Sequence, residues 1–296
     1  MVPPGERSRS GLAISFGIGF ALIIENNPMR LAIISFLSIF SVALGEPRPK
    51  SVAPVEQMRN LQQDAFKVGE ELSYIIRYGF VEAGKAEISV QAEARRAQRP
   101  VYHVVGTGRS IGMAEWFFKT RDRYESFIDQ EALVPWEFIR DVNEGGHKIN
   151  RHLIFDQYEQ TVRDLKAPEK GSFQFESYAQ DMLSAFYYAR SIDASELKPG
   201  DVISFTMFLD HEQFPFRLIY LGREMVKTKL GTIECLKLRP SLQKGRVFKD
   251  EEDMTIYVSA DKNKIPVLIQ TDLLVGSIKV ELLKHKNLRY PLKVRS

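Results

Sequence analysis

The chain has 296 residues, of which 44% are hydrophobic and 11% aromatic, so it can bury a globular core. Its 41 basic and 38 acidic residues nearly balance, and without a long basic run this argues against nucleic acid as a partner. The single cysteine, Cys235, excludes an intramolecular disulfide, and its alternating surroundings predict a small buried thiol.

The first 45 residues predict export. Two apolar runs, 11–24 and 31–44, are each shorter than the roughly 20 residues that a membrane-spanning helix needs. The second run has the pattern of a signal peptide, because Met29-Arg30 gives it a short basic start and it ends in a small-x-small site. We therefore expect cleavage between Gly45 and Glu46 and a location in the periplasm or outer envelope.

The start of the chain has two interpretations. Residues 1–28 are an upstream extension if Met29 is the true initiator, and an uncleaved anchor or membrane hairpin is the alternative. No cysteine stands directly after the apolar run, which argues against a lipid-anchored lipoprotein. Residues 46–65 contain several prolines and few large apolar side chains, so they predict a flexible leader or a short polar helix.

From Phe66 onward, period-2 alternation between turns predicts half-buried antiparallel strands. Several turn residues recur at one constant offset, which predicts two copies of a supersecondary unit, at 68–150 and 199–281. The positions that share this offset include Gly69 with Gly200, Pro135 with Pro266, and Gly145 with Gly276.

Five or six strands in each copy predict an all-β, mainly antiparallel fold of about 10–12 strands. We expect one domain, residues 66–290, in which the strands form a curved sheet or half-barrel that covers its edges. One amphipathic helix, at 177–190, is predicted to bridge the copies and to lie on the sheet with most of its girth covered.

Three motifs resemble the bacterial family of domain of unknown function 3108, over about residues 66–286. They are Phe66-x-Val68-Gly69-Glu70-x-Leu72-x-Tyr74 followed by Ala83-Gly84, then Asp181-x-Leu183-Ser184-x-x-Tyr187-Tyr188-x-Arg190, and Leu197-x-Pro199-Gly200-Asp201. The resemblance implies export and a β-rich fold and supplies no catalytic residue. The outline is also similar to periplasmic lipoprotein and lipid carriers with a curved sheet and a helical lid, which is fold-level analogy only.

One short motif suggests a reaction. The segment 108–112 matches the Gly-x-Ser-x-Gly pattern of a serine hydrolase, with Ser110 as nucleophile and Asp210 and His211 in the right chain order. A hydrolase sheet needs parallel strands separated by helices, and this chain has one good helix pattern, so a glycine-flanked turn is the preferred interpretation. The five histidines are scattered, so neither a metal site nor a cofactor is predicted.

The aromatic residues exceed what one helix–sheet contact needs, and part of them could line a concave apolar cleft. Ordinary core packing is the alternative for each of them. The candidates for the lining are Tyr74, Tyr78, Trp116, Trp136, Phe186, Tyr187 and Phe205.

The leading functional hypothesis is a non-enzymatic periplasmic or envelope protein that binds an amphipathic or lipid-like ligand in this cleft. The alternative is an envelope scaffold or interaction protein without an internal ligand. Membrane contact is expected only through the signal segment or a basic tail, and the oligomeric state is not predicted. The tail comprises Lys284, Lys286, Arg289, Lys293 and Arg295.

Overall fold

The computed structural model describes residues 55–241, 254–272 and 276–295. The predicted signal peptide and its cleavage site lie outside the described residues. The strands of the first half are β1 Glu71–Tyr78, β2 Val81–Arg96, β3 Arg99–Ser110, β4 Thr120–Asp129, β5 Pro135–Glu144, β6 His147–Asp156, β7 Thr161–Asp164 and β8 Ser172–Gln174. Those of the second half are β9 Val202–Leu209, β10 Glu212–Thr228, β11 Gly231–Pro240, β12 Met254–Ser259, β13 Pro266–Asp272, β14 Ser277–Lys286 and β15 Val294–Arg295. The helices are α1 Met113–Phe117 and α2 Met182–Ser191.

All of these strands belong to one open antiparallel sheet, which confirms the predicted fold class. The sheet runs in the order β8 to β1 and then β14 to β9, so the first and last long strands pair with each other. It has 15 strands where 10–12 were predicted. The additional strands are β7, β8 and β15, with four, three and two residues, which are too short to show an alternating pattern.

The sheet curves around α2. This helix packs against β3, β4 and β9, although β9 lies at the far end of the strand order. No ladder joins β8 to β9 in the described residues; instead Gln180 hydrogen-bonds to β9 through Thr206 O at 2.9 Å and Phe208 N at 2.8 Å. The segment before α2 therefore spans the gap between the sheet edges and leads the helix into the interior.

Helix α2 begins five residues later than the sequence predicts. Tyr178 has a φ of 66°, a left-handed conformation that a helix cannot contain. Asp181, which was expected inside the helix, is its N-cap and accepts hydrogen bonds from Leu183 N and Ser184 N. Ser184 Oγ in turn accepts a hydrogen bond from Asp181 N, completing a capping box. Most of the helix is buried, as its wide apolar face predicts.

The predicted flexible leader, 46–65, is described only from residue 55. This part forms neither a free tail nor a helix. Leu61 N donates to Glu131 O at 2.7 Å, and the Arg59 guanidinium stacks on Tyr178 at 4.2 Å. Backbone hydrogen bonds and a cation–π contact therefore fix this segment to the sheet.

The two predicted copies coincide with the strand groups β1–β6 and β9–β14. At their starts, Gly69 N donates to Val90 O and Gly200 N donates to Tyr220 O, both at 2.8 Å. Both glycines have positive φ angles, 86° and 102°, which other residues rarely adopt. Pro135 and Pro266 likewise each open a strand. These matching turns support an internal duplication, which remains a proposal.

The antiparallel order gives the sheet two distinct ends. One end of the strands is called the α1 end. There β1, β3, β5, β9 and β13 finish, and β2, β4, β6, β10 and β14 begin. It carries α1 and the β1–β2 turn. The opposite end of the strands, where α2 finishes, is called the α2 end. The side chains of the main core cluster point toward α2, and we call that face of the sheet inner and the opposite face outer.

Candidate functional site

The seven aromatic residues predicted to line a cleft do not come together. Tyr74, Phe186, Tyr187 and Phe205 belong to the main core around α2, and Tyr78 lies at its margin. Trp136 belongs to a separate cluster on the outer face with Val101 and Phe127, because a bulge in the β4–β5 ladder turns it outward. Trp116 lies on α1 and is 88% exposed. Placing both tryptophans in one cleft was therefore wrong.

A buried ion pair joins the ends of the two motifs that carry the family resemblance. Arg190 of α2 donates from Nη1 to Glu70 Oε1 at 2.6 Å and from Nη2 to Glu70 Oε2 at 2.8 Å. Its Nε donates to Asn263 O at 2.9 Å. Both side chains are almost fully buried. This bidentate geometry fixes the C-terminal end of α2 against the start of β1.

Aromatic rings surround the ion pair. Phe66 and Tyr187 pack edge to face at 4.5 Å, and the Arg190 guanidinium lies within cation–π distance of both. Tyr74 Oη donates to Pro266 O at 3.1 Å. Burial raises the pKa of the Tyr74 and Tyr187 hydroxyls, so both stay neutral. These motif residues pack and position the helix.

An apolar cleft lies between α2 and the inner faces of β9 to β13. It exists because the helix packs on β3, β4 and β9 and leaves a gap toward the other strands. The gap measures about 40 Å³. Of the predicted lining residues only Phe186 contributes to it. The remaining lining consists of Ala189, Arg190, Ile192, Ala194, Leu197, Ile203, Leu218, Leu236, Leu238, Ile256, Val258, Lys264 and Pro266.

Ser110 does not occupy a nucleophile elbow. It is the last residue of β3, its side chain is fully buried, and its Oγ accepts a hydrogen bond from Thr120 N at 3.0 Å. His211, its proposed base, instead hydrogen-bonds Asp164 at 2.9 Å and stacks on Phe173. Because an elbow serine must be exposed on a strand-to-helix turn, this arrangement does not fit the hydrolase hypothesis.

Two carboxyl groups meet on the inner face near the α1 end. Asp122 and Glu144 are each only 4% exposed. Desolvation, together with the charge of Glu144, raises the pKa of Asp122 to about 8. Asp122 is therefore mostly protonated at neutral pH. In the described ranges, no three His, Cys, Asp or Glu side chains are grouped so as to hold a metal ion.

A basic groove of about 560 Å³ lies on the outer face of β2–β6. Its floor contains a row of side chains that follows the hydrogen-bonding direction from strand to strand. Lys85 lies opposite Arg109, and Arg109 lies opposite Arg121. Asn143 continues the row between Arg121 and Lys148. The other lining residues are Glu87, Thr107, Gly108, Asp122, Arg123 and Asp141.

The charges in the groove are only partly paired. Arg121 forms an ion pair with Glu115 of α1, and Arg123 pairs with Glu125 at 2.8 Å. Lys85, Arg109 and Lys148 form no ion pair with any described residue. These three cations lie in one row and outnumber Glu87 and Asp141, the acidic residues of the outer face that line the groove, so the groove favours negatively charged groups.

Sequence reasoning missed both charge arrangements. Glu70 and Arg190 both lie in the resembling motifs, but nothing in the chain shows that they pair across 120 positions. Lys85, Arg109 and Lys148 are isolated in sequence and become neighbours only through the strand register. A helical wheel or charge run cannot reveal a row that crosses five strands.

Neither helix in the described ranges is long and apolar enough to cross a membrane. The sequence model of the DUF3108 family, proteins of unknown function, matches residues 73–283, which is most of the chain. The comparison with curated proteins gives no match.

Several solved structures are distantly similar. A β-barrel-like protein of domain of unknown function DUF1849 from Brucella abortus has 11% identity and a TM-score of 0.46, over 75% of this chain and 98% of that chain. A Bacteroides fragilis protein described as exported, with a YmcC-like fold, has 11% identity and a TM-score of 0.33, over 76% and 100%. A Parabacteroides distasonis protein described as a lipoprotein has 10% identity and a TM-score of 0.32, over 78% and 100%. Similarities this distant carry no argument about function.

Proposed function

The chain belongs to the DUF3108 family of proteins of unknown function, and from this premise we propose that it is an exported, non-enzymatic envelope protein that binds an anionic partner in its basic groove. The observation that carries the proposal is the row of Lys85, Arg109, Arg121 and Lys148 across the outer face. The predicted signal peptide supports the envelope location.

Without a partner, the row of Lys85, Arg109, Arg121 and Lys148 lowers the stability of the folded protein. Like charges directly opposite each other in an antiparallel sheet destabilise it, by roughly 0.2–1 kcal/mol for a pair. Lys85 faces Arg109, and Arg109 also faces Arg121. An anionic partner would remove this repulsion. The arrangement therefore fits a binding surface better than a solvated strand face.

The groove also has a definite length. Five neighbouring strands with a spacing of about 4.8 Å extend the row over about 19 Å. The groove is also lined by the acidic residues Glu87 and Asp141, but the five basic residues Lys85, Arg109, Arg121, Arg123 and Lys148 outnumber them. Several closely spaced phosphate or carboxylate groups would match this length and charge.

The interior offers less support for the amphipathic-ligand hypothesis. Sites for drug-sized ligands enclose about 300–1,000 Å³, whereas the gap beside α2 measures about 40 Å³. The helix and its aromatic neighbours occupy the space where an acyl chain would lie. The outer face is consequently the better candidate, which favours the interaction protein over the carrier.

Titration calorimetry with inorganic polyphosphate tests the groove. The groove variant Lys85→Gln/Arg109→Gln/Lys148→Gln should bind at least about tenfold more weakly than the wild type. The matched control Lys67→Gln/Lys198→Gln/Lys227→Gln removes the same charge from exposed positions at the α2 end. It should bind within about twofold of the wild type. Equal losses in both variants, or no binding by the wild type, would contradict the proposal.

A further inference from the structure

Among the residues that the structure describes, the most exposed large apolar side chains are concentrated at the α1 end. Phe80, in the β1–β2 turn, is fully exposed, and Trp116 and Phe117 of α1 are 88% and 86% exposed. Met113, also in α1, is 66% exposed. Isolated apolar residues on a surface need no explanation, but four large ones at one edge mark an interaction site.

The side chains of Phe80, Met113, Trp116 and Phe117, which we call the apolar tips, adjoin the basic groove. Helix α1 contacts β2, and Ile111 N donates to Ala83 O at 2.9 Å, so the helix lies beside the β1–β2 turn that carries Phe80. Glu115 of α1 forms an ion pair with Arg121 of the basic row. The tips and the groove therefore form one continuous surface, with apolar side chains at its edge and cations behind them.

The tips are held in place from below. Phe118, directly after α1, packs against the core, and Gly145 leaves the space that its ring needs. Phe118 N also donates to Ala114 O at 2.8 Å. The aromatic rings of Trp116 and Phe117 consequently project from a fixed support, which lowers the entropy lost on binding.

We propose that the α1 end docks on an anionic phospholipid bilayer, with the apolar tips inserted at the interface and the basic groove against the headgroups. This inference rests on the proposed function, because it names the anionic partner of the same groove. Tryptophan and phenylalanine favour the interface of a bilayer, and Lys and Arg beside them attract anionic lipids.

A bilayer fits this surface better than a second copy of the chain does. The tips protrude from a turn and a short helix, so a protein partner would need a cavity shaped for each of them, while a bilayer needs none. A second copy would also bring another basic groove close to the first, and the like charges would repel. The match of positive groove and negative headgroup favours lipid.

The two tryptophans permit a direct test, because Trp116 is exposed and Trp136 is 4% exposed. Vesicles of phosphatidylglycerol and phosphatidylethanolamine should shift the emission of the wild type to shorter wavelength, and brominated lipids should quench it. Neutral phosphatidylcholine vesicles should do neither. The Trp116→Phe variant, which keeps the apolar tip and alters an exposed position, should bind the vesicles without the spectral change.

Vesicle co-sedimentation then separates the two proposals. The tip variant Phe80→Ser/Trp116→Ser/Phe117→Ser should retain polyphosphate binding and bind anionic vesicles at least tenfold more weakly. The groove variant should lose affinity for both probes. Polyphosphate binding by the wild type without vesicle binding would overturn this inference alone, and so would burial of Trp116 by self-association in the absence of lipid. If the wild type bound neither polyphosphate nor anionic vesicles, the proposed function would be overturned as well.

Discussion

Charged side chains at the α2 end and on the outer face of β2–β6 are arranged in opposite ways. Glu70 and Arg190 are buried, opposite in sign and joined by two hydrogen bonds. Lys85 and Arg109 are on the surface, alike in sign and directly opposite each other. The buried pair can only serve the fold, whereas the exposed row weakens it. The comparison supports the proposal that the protein binds its partner where charges are not paired within the fold.

Breaking the buried pair should have the largest effect. The Arg190→Met variant leaves Glu70 charged and buried, so the free energy of unfolding should fall by about 3–5 kcal/mol. The double variant Glu70→Leu/Arg190→Met should recover most of this loss, because two apolar side chains can replace a buried pair. Denaturant unfolding measures both. The exposed Lys286, paired with Glu71, provides the control, and Lys286→Met should leave the midpoint of denaturant unfolding nearly unchanged, because a solvent-exposed ion pair contributes little to stability.

A smaller loss is expected where a single carboxylate organises the helix. Asp181 caps α2 through Leu183 N and Ser184 N and also accepts a hydrogen bond from Ser126 Oγ at 2.6 Å. Asp181→Ala should lower the free energy of unfolding by about 1–2 kcal/mol. Asp181→Asn, which keeps an acceptor oxygen, should lose less. Thermal unfolding measures both variants. If Asp181→Asn lost as much stability as Asp181→Ala, the carboxylate would not act by capping the helix.

The buried acid pair beneath the groove makes stability depend on pH. The pKa of Asp122 is about 8 in the folded protein and about 3.9 in an unfolded chain. Between these values the folded state binds more protons, so stability falls as pH rises. The free energy of unfolding should therefore decrease between pH 5 and 8, and in Asp122→Asn this decrease should be smaller by more than about 1 kcal/mol. Asp141 lies on the outer face of the neighbouring strand, and its charge is the smallest of the named causes that raise the pKa of Asp122. Asp141→Asn should therefore reduce the decline much less than Asp122→Asn does, as measured by urea unfolding at each pH.

The smallest stability effect is expected in the groove, and it should have the opposite sign. Arg109→Gln removes the like-charge contacts with Lys85 and Arg121. The free energy of unfolding should rise by about 0.2–0.5 kcal/mol at low salt, and the gain should shrink at high salt. A loss of stability would mean that Arg109 supports the fold. The contrast between groove and buried pair would then disappear.

Alternation predicted the fold class, because residues such as Leu72 and Tyr74 share a face and a buried face is typical of an antiparallel sheet. Alternation does not tell which face is covered, and a bulge or a short helix interrupts it. Trp136 therefore faces outward, and Trp116 lies on the short helix α1, which is separate from the one helix that the sequence predicts. The start of α2 depended on the backbone angle of Tyr178, which no periodicity shows.

The candidate site was harder to predict than the fold. The basic row depends on which strands are neighbours and on their exact register. Lys85 and Lys148 lie far apart in the chain and join one groove only after β2 to β6 have paired. The aromatic excess, in contrast, was visible in the sequence. Most of these aromatic residues belong to the core around α2, where hydrophobic packing is enough to explain them.

Native mass spectrometry of the protein purified from the cell envelope tests most directly whether it works through its outer face. Samples prepared in low salt and after a high-salt wash would be compared. An ionic surface interaction is screened by salt, so we expect the washed protein to have the mass of the bare chain. A lipid-sized adduct that survives the wash and is released only by unfolding would contradict the account, because it would place the ligand inside the sheet beside α2.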